Sequence, residues 1–457
     1  MRPCSSTIRS PAVPETFDRG LLEPLSFGSR ATSLTGDVAV IAALIDVESA
    51  LSEAWLDCGI APSWVHEIAS LLPVTPIDWE AIGRGNRAGG NPVIPLVASL
   101  RNHAEQQRDG AGDWIHRGAT SQDILDSALM LVASRVVPVL IDQLETVSTL
   151  LADRADTHRE SLMPGRTLTQ HAAPITFGAK VAGWLDGVEG ALVALERVDL
   201  PAQLSGSVGI GSSFVDLTGE RAAPADLRAR FAARLGLTDP GRSWQAERSP
   251  VAQLGSTLAI ALGALGRIAA DILVLARTEI SEATEGAAAG LSSAMPQKRN
   301  PVTATLIVAT AQRSPALLSI LLSAMVSPDE RAAGPWHSEW QAARQLLALA
   351  VEATEASVVL IDELVVDTER MRANLDLTGG SIYSEHVLST LTRDIGRAEA
   401  TAIVTAAITG EVSFAEAAPI ELSLTTTLSA VATVVDAALA RRSGRLRSTC
   451  HPGTGDS

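Results

Sequence analysis

The chain has 457 residues and a formal net charge of −16. Because single hydrophobic cores rarely grow to this size, we expect two or three domains or one large helical assembly. Hydrophobic residues make up 46% of the chain but aromatic residues only 3%, and Ala and Leu dominate, which favours closely packed helices over sheets. The acidic excess argues against non-specific binding to nucleic acid or to an anionic membrane, since either would need a basic face.

Cysteine and histidine placement gives no sign of a disulfide framework or a metal site. The three cysteines, Cys4, Cys58 and Cys450, are far apart, and the eight histidines form no recognised ligand pair. The N-terminal residues lack the apolar core of a secretory signal, so we expect a reducing, cytoplasmic location. We therefore predict no metal.

The longest apolar run, residues 254–276, contains Arg267 and Asp271 near its middle. Two charges at the centre of the run favour a buried bundle helix over a membrane span. Earlier in the chain, residues 1–36 look irregular, and apolar residues at three- and four-residue steps then predict a helix that starts at Thr35 or Asp37. Shorter amphipathic segments follow to about residue 108.

A polar segment ending at Asp123 precedes a long helical pattern that runs from about residue 124 to 158. Thr120 or Ser121 can cap this helix, with Asp123 completing a capping arrangement in the first turn. Capping leaves one hydroxyl, His116 and Arg117 unused. Since a helix N-terminus with spare donors suits an anion, we predict that this segment binds a ligand.

A second polar segment begins at Arg166, between Gly165 and Pro174. It is too polar for a buried helix start, so we predict a second site loop. Its most reactive side chain is His171, which on its own could equally be structural.

The third polar segment, residues 290–301, separates two long helical patterns at about 250–289 and 301–326. Pro296 and Pro301 each disfavour helix at the preceding residue, which predicts a mobile loop, although a polar interhelical turn is the alternative. The glycine-rich residues 204–211 lack the Lys-Ser/Thr ending of a phosphate-binding loop, and we find neither a nucleophile elbow nor a dinucleotide fingerprint.

Three polar loops on a helical scaffold therefore offer hydroxyls, amides and cations. That set suits a carboxylate-bearing substrate whose α-proton must move, because the enolate-like intermediate needs donors directed at it. The final stretch, residues 441–457, is polar and is expected to fray.

The third segment resembles the signature of the fumarase/aspartase superfamily: glycine, two serines, any residue, Met-Pro, any residue, Lys, any residue, Asn-Pro. Residues 118–123 and 166–178 resemble the other two motifs of this superfamily, in the expected order. Within it the chain looks most like the 3-carboxy-cis,cis-muconate cycloisomerases. The supporting segments are residues 91–96, His116 with residues 118–123, residues 331–337 and residues 374–380.

The resemblance implies an all-α, three-domain protomer, with domains at residues 1–108, 109–355 and 356–457. It implies that the long helices of the central domain form a twenty-helix core in a homotetramer. Each active site would then take its three motifs from three chains. The implied partners are a small polycarboxylate substrate and three further copies of the chain, with no nucleic acid, membrane or cofactor.

The implied reaction closes 3-carboxy-cis,cis-muconate to a lactone by carboxylate addition and proton transfer. By the motif, Ser292 handles the proton, and His171 is a candidate second acid or base. The implied substrate-binding residues are His116, Arg117, Thr120, Ser121, Thr167, Gln170, Ser293, Met295, Lys298, Asn300 and Arg331.

Two positions depart from the superfamily pattern. Leu168 stands where many of its lyases have histidine directly after Arg-Thr, a histidine that cycloisomerases also lack, and Leu291 stands where a small residue is usual. Two alternatives stay open: an adenylosuccinate- or argininosuccinate-type lyase that eliminates fumarate, and a non-catalytic relative with a structural or binding role.

Overall fold

The computed structural model describes residues 21–221, 223–286, 290–291, 295, 298–417 and 420–450. Within them the fold is mostly α-helical, as predicted, with three two-stranded antiparallel ribbons. The helices are α1 Ala31–Thr35, α2 Asp37–Asp57, α3 Val65–Leu71, α4 Trp79–Gly89, α5 Val93–Gln107, α6 Ser121–Thr157, α7 Phe177–Glu196, α8 Ser212–Thr218, α9 Ala223–Leu235, α10 Ser249–Leu275, α11 Val302–Ala324, α12 Pro335–Asp362, α13 Thr368–Leu375, α14 Ser384–Ile395, α15 Arg397–Thr409, α16 Phe414–Ala417 and α17 Ile420–Cys450.

The strands form ribbons at the connections between helices. They are β1 Leu162–Thr167 with β2 Gln170–Thr176, β3 Ala283–Thr284 with β6 Val365–Val366, and β4 Gly290–Leu291 with β5 Arg299–Asn300. Each ribbon ties down a segment that a sequence pattern alone leaves without regular structure.

Helices α6, α7, α10, α11 and α12 form a central bundle in which α6, α10 and α12 run in the same direction. Trp336 at the start of α12 bonds to Asp126 near the start of α6, and Arg154 near the end of α6 bonds to the carbonyl of Asp362 at the end of α12. Helices α7 and α11 run the opposite way. The bundle therefore has two distinct ends.

Three bundle helices are long and apolar enough to cross a membrane by length and composition, with 67% of the apolar window buried in α6, 50% in α10 and 22% in α11. The charges predicted to interrupt α10 pack on α7: Arg267 donates to the carbonyl of Gly183, and Asp271 accepts from the Trp184 indole. Helix α11 is the least buried of the three in one chain, and its Val302, Ile320 and Leu322 are more than a third exposed.

A fully buried ion network joins the starts of α6, α10 and α12. The Arg248 guanidinium donates to both oxygens of Asp126, at 2.7 and 3.1 Å, and to both oxygens of Glu339, at 2.6 to 3.1 Å. Trp336 Nε1 adds a 3.0 Å bond to Asp126. Burial raises the pKa of Glu339, whereas its bonds with Arg248 oppose that shift. Removing the cation would leave two buried carboxylates without their partner.

An Arg248→Met variant is therefore expected to lose about 3–5 kcal/mol of unfolding free energy, because breaking a buried ion network strands its remaining charges. Urea unfolding at a fixed protein concentration would measure this. Arg242→Met is the matched control, since Arg242 pairs with Glu247 with both side chains about half exposed, and it should cost about 0–1 kcal/mol. Equal losses in the two variants would contradict the interpretation.

Several predicted boundaries are wrong. The helix predicted over 250–289 ends at Leu275, where the chain turns into β3. The segment predicted as a loop from Arg166 is a β-hairpin, and the tail predicted to fray continues as α17 to Cys450. Arg441, Arg442 and Arg445 fix that helix on α6 and α7 through Asp186, Ser148 and Glu189. The three-domain division stays a prediction.

Candidate active site

The first polar segment forms the N-terminus of α6, where the predicted capping arrangement is confirmed. Thr120 is the N-cap, and the Asp123 carboxylate accepts from its backbone N–H at 3.0 Å. Asp123 also accepts from the N–H groups of Ser205 and Gly206, at 2.9 Å each, so the glycine-rich segment closes over the helix start. Ser121 is the first residue of α6 and is half-buried. A rigid helix terminus thus presents two hydroxyls.

Arg331 lies against this helix start. Its Nη2 donates to the Thr120 hydroxyl at 2.7 Å and its Nε to the Gln122 side-chain oxygen at 3.0 Å. The guanidinium also lies 5.3 Å from the Trp336 ring centroid. The structure therefore joins two residues predicted to bind substrate, Thr120 and Arg331, that are more than 200 positions apart in sequence.

His116 is held in a strained backbone conformation with φ of 58° and bonds through Nδ1 to Glu48 at 2.7 Å. Glu48 is fully buried, and the histidine side chain is 15% exposed. Burial opposes protonation of His116, but the charge and hydrogen bond of Glu48 outweigh it and raise the pKa of His116. A histidine whose protonated form is favoured by Glu48 therefore lies beside the helix start.

Arg117 lies in the same turn. Its guanidinium stacks on Trp114, 4.4 Å from the ring centroid, and Nη1 donates to the carbonyl of Asp113. These contacts orient the cation without neutralising it.

The second polar segment is the β1–β2 hairpin, with Leu168 and Thr169 as its two-residue turn. Both have positive φ, 48° and 71°, as in the hairpin turns that usually take Asn and Gly. Leu168 is 95% exposed, and Thr167 and Gln170 are also exposed. A strained turn that presents an alkyl side chain to solvent is an indication of function.

His171 lies on β2, where burial and the neighbouring Arg166 lower its pKa. It is therefore neutral at neutral pH. The hairpin is held close to its turn: Arg166, opposite His171, donates to both oxygens of the fully buried Glu282, at 2.9 and 2.6 Å, and Asn374 donates to the same carboxylate at 2.7 Å. Asn374 belongs to the 374–380 segment, which thus anchors the hairpin.

The third polar segment is a loop closed at its base by β4 and β5. The buried Glu285 accepts from the N–H groups of Thr303 and Ala304, at 3.1 and 2.7 Å, and so caps α11 directly after the loop. Met295 and Lys298 are exposed and Asn300 is half-buried. Ser292 and Ser293 lie outside the described residues, and so does the Leu291 side chain. The foot of the loop is therefore held by the β4–β5 ribbon and by the bonds of Glu285 to the start of α11.

The three segments do not meet within one chain. Thr120, Arg331 and His116 lie at the bundle end where α10 starts, whereas the hairpin and the loop lie at the end where α10 finishes. Helix α10 has 27 residues, which corresponds to about 40 Å at 1.5 Å per residue. A site that uses all three segments must therefore combine more than one chain.

Comparisons with known proteins agree with this architecture. A family model described as lyase matches residues 79–314. Nitrosuccinate lyase of Streptomyces davaonensis is 41% identical over 408 residues, covering 87% of this chain and 85% of the relative. The chain belongs to the fumarase/aspartase superfamily.

Other members of this superfamily are similar over most of their length. The 3-carboxy-cis,cis-muconate cycloisomerase of Pseudomonas aeruginosa is 36% identical, covering 78% of this chain and 77% of the relative. The crystal structure of 3-carboxy-cis,cis-muconate lactonizing enzyme from Pseudomonas putida superposes with a TM-score of 0.82 at 27% identity, covering 93% and 99% of the two chains. The crystal structure of beta-carboxy-cis,cis-muconate cycloisomerase from Acinetobacter calcoaceticus superposes with a TM-score of 0.80 at 28% identity, covering 90% of this chain and 97% of the other.

Sequence reasoning missed the buried carboxylates and amides that hold the superfamily motifs in place. They are Glu48, Gln122, Asp126, Glu282 and Glu285. The available signal was a polar residue on an otherwise apolar helix face, as with Gln122 and Asp126, four positions apart on α6. Among the described residues, no group of three or more His, Cys, Asp or Glu could hold a metal ion.

Proposed function

We propose that the protein catalyses addition to, or elimination from, the carbon skeleton of a polycarboxylate, in which the group that adds or leaves is a weakly basic anion. The observation that supports this proposal is the presence of Leu168 at the exposed turn of the hairpin. Where many lyases of the superfamily have a histidine, an alkyl side chain is exposed, and His171 nearby is held neutral. An amine leaving group needs a proton as it departs, whereas a carboxylate, with an acid pKa of about 4, leaves unaided.

The first substrate we propose is 3-carboxy-cis,cis-muconate. One substrate carboxylate oxygen bonds to the far carbon of a double bond, and the electron pair moves onto the carbon beside a second carboxylate. The resulting dianion takes a proton from Ser292 and becomes the lactone, and Ser292 then regains a proton from water. Cationic groups at both bundle ends, Arg331 and His116 at one and Lys298 at the other, suit three carboxylates. The atoms balance without a cofactor.

The second candidate is nitrosuccinate, favoured by 41% identity to the Streptomyces davaonensis enzyme. Here Ser292, acting as base, removes the proton beside one carboxylate, and nitrite leaves with the C–N electron pair to give fumarate. Nitrite, like carboxylate, departs as an anion, so Leu168 fits this reaction equally well. Both reactions pass through the same kind of carboxylate-stabilised dianion.

For the assembly we propose a homotetramer in which the helix-start, hairpin and loop segments of different chains meet. The separation of the two bundle ends supports this, as does the apolar surface that α11 leaves open. The exposed hairpin turn would insert into a neighbour's site, where Leu168 would be covered.

The purified protein should be incubated separately with 3-carboxymuconate and nitrosuccinate. Loss of muconate ultraviolet absorbance measures the first reaction, and colorimetric nitrite release with equimolar fumarate measures the second. Turnover of either substrate supports the reaction class, and the larger kcat/KM identifies the substrate. Turnover of adenylosuccinate or argininosuccinate alone would overturn the proposal, because these expel nitrogen bases.

Substrate binding is expected to depend on the charge of His116. Glu48 raises the pKa of His116. The imidazole is positive below that pKa and neutral above it, so KM should rise about 10-fold as the pH increases through the pKa. In Glu48→Gln the two largest effects that raise the pKa of His116 disappear, whereas burial and Arg101 still lower it and only the charge of Asp123 still raises it, so this rise in KM should move to lower pH. KM measured from pH 5 to 9 tests this.

The matched control for Glu48→Gln is Glu53→Gln on the same helix. Glu53 bonds to Nδ1 of His66, at 2.6 Å, in a pair whose histidine is 66% exposed. The control should leave the KM profile unchanged. An identical profile in Glu48→Gln and wild type would remove His116 from the binding site.

A further inference from the structure

Arg331 differs in its partners from three arginines that form buried or half-buried ion pairs in this chain. Arg166, Arg248 and Arg445 each pair with at least one carboxylate. Arg331 instead donates to a hydroxyl and an amide, and no carboxylate of a described residue forms an ion pair with it. Neutral acceptors fix the direction of the guanidinium but leave its full positive charge available to a ligand.

Gln122 makes this arrangement possible. It is fully buried, and its Nε2 donates to Asp126 at 3.2 Å and to the carbonyl of Gln245 at 2.8 Å. Since both neighbours are acceptors, the amide nitrogen must face them, and the amide oxygen must face Arg331. The orientation of Gln122 is thus determined by hydrogen-bond chemistry.

The amide separates Arg331 from a buried carboxylate. Asp126, four residues further along α6, is bound by Arg248 and Trp336, and Arg248 also binds Glu339. When both carboxylates are ionised, they and the one guanidinium carry a net charge of −1. That charge lies behind Gln122, close enough to favour a cation at Arg331 but without a direct contact that would neutralise it.

We propose that Gln122 is a positioning and specificity-determining residue, an amide spacer that orients Arg331 toward a substrate carboxylate while keeping Asp126 from neutralising it. This inference rests on the proposed function for the identity of the substrate. Gln122 does not touch the ligand, because none of its surface is exposed. The alternative is a purely structural role, in which the hydrogen bonds of Gln122 only hold α6 against the chain around Arg331.

Two substitutions separate these roles. Gln122→Met removes the hydrogen bonds but adds no charge, whereas Gln122→Glu places a carboxylate against Arg331 Nε. The probe is tricarballylate, a tricarboxylate that cannot react, with its Kd measured by calorimetry at several salt concentrations. Ser127→Ala is the control, since Ser127 is a buried, hydrogen-bonded residue of α6 that bonds to Gln203 instead.

We expect Gln122→Met to weaken tricarballylate binding about 10-fold and Gln122→Glu about 100-fold. Gln122→Glu should also reduce the salt dependence of binding, because one cation no longer faces the ligand. Adding Gln122→Glu to Arg331→Met should cause little further loss, since the charge it neutralises is already gone. If Gln122→Glu does not fold, the same double-mutant test of additivity can be made with Gln122→Met and Arg331→Met.

Equal losses in Gln122→Met and Gln122→Glu would overturn the inference, and so would full additivity with Arg331→Met. Failure of the wild-type protein to bind tricarballylate would also overturn it. The proposed function is tested separately. If the protein binds tricarballylate in this pattern but converts neither substrate, the role of Gln122 is supported and the proposed reaction is overturned.

Discussion

A Ser292→Ala variant is expected to lose about 10³-fold or more in kcat on the substrate that the wild-type protein converts. Removing the group that transfers the proton typically costs two to four orders of magnitude. Tricarballylate affinity should stay within about 3-fold of wild type, because in the proposed reaction the serine moves a proton and the cations bind the carboxylates. Steady-state kinetics and calorimetry measure the two effects.

So large an effect is expected from one hydroxyl because the proposed reaction transfers its proton through Ser292. The ribbon of Gly290 with Asn300 closes the loop, and Glu285 caps the helix that follows. A serine has too high a pKa to exchange protons unaided, so its position relative to Lys298 and the substrate charges must be fixed.

Ser70→Ala is the matched control for Ser292→Ala. Ser70 is exposed on α3, where its hydroxyl donates to the carbonyl of Glu67. This variant should keep wild-type kcat, and both variants should elute from size exclusion at the wild-type volume. A Ser292→Ala protein that keeps more than a tenth of wild-type kcat would remove the serine from the proton-transfer step.

The helical class and the helix-start segment could be predicted from sequence because they depend on local signals. Apolar periodicity marks α6, and Thr120 with Asp123 forms the capping box that their spacing indicates. The hairpin at Leu168 and Thr169 could not be predicted in the same way. Neither residue favours positive φ, so the turn carries no local signal, and the contact that holds the adjacent Arg166 is to Glu282, 116 positions away.

The partners of long-range charges were equally hidden. Arg248 reaches residues more than 90 positions away on either side, and Arg445 pairs with Glu189 across 256 positions. A sequence shows such charges as polar residues near helix ends, and nothing local distinguishes a buried partner from a solvated one. The same reason explains why the C-terminal helix was expected to fray.

Mixing two inactive variants is expected to restore activity if each site draws on several chains. Arg331→Met removes the cation at one bundle end, and Ser292→Ala removes the proposed proton-transfer group from the loop whose base, β4 with β5, lies at the other end, about 40 Å away along α10. Each variant alone should be inactive. Unfolding them together at equal concentrations and refolding should restore about a quarter of wild-type activity, because half the chains carry each intact residue and a site needs one of each.

The control mixture combines Ser292→Ala with Lys298→Met. Both substitutions lie in the loop that β4 and β5 close, so one chain supplies both positions to any site. Every loop in that mixture carries one defect or the other, and activity should stay at background. Restoration in the first mixture but not in the second would show that the loop and Arg331 reach a site from different chains. Background activity in both would mean that a single chain supplies them, which the length of α10 opposes.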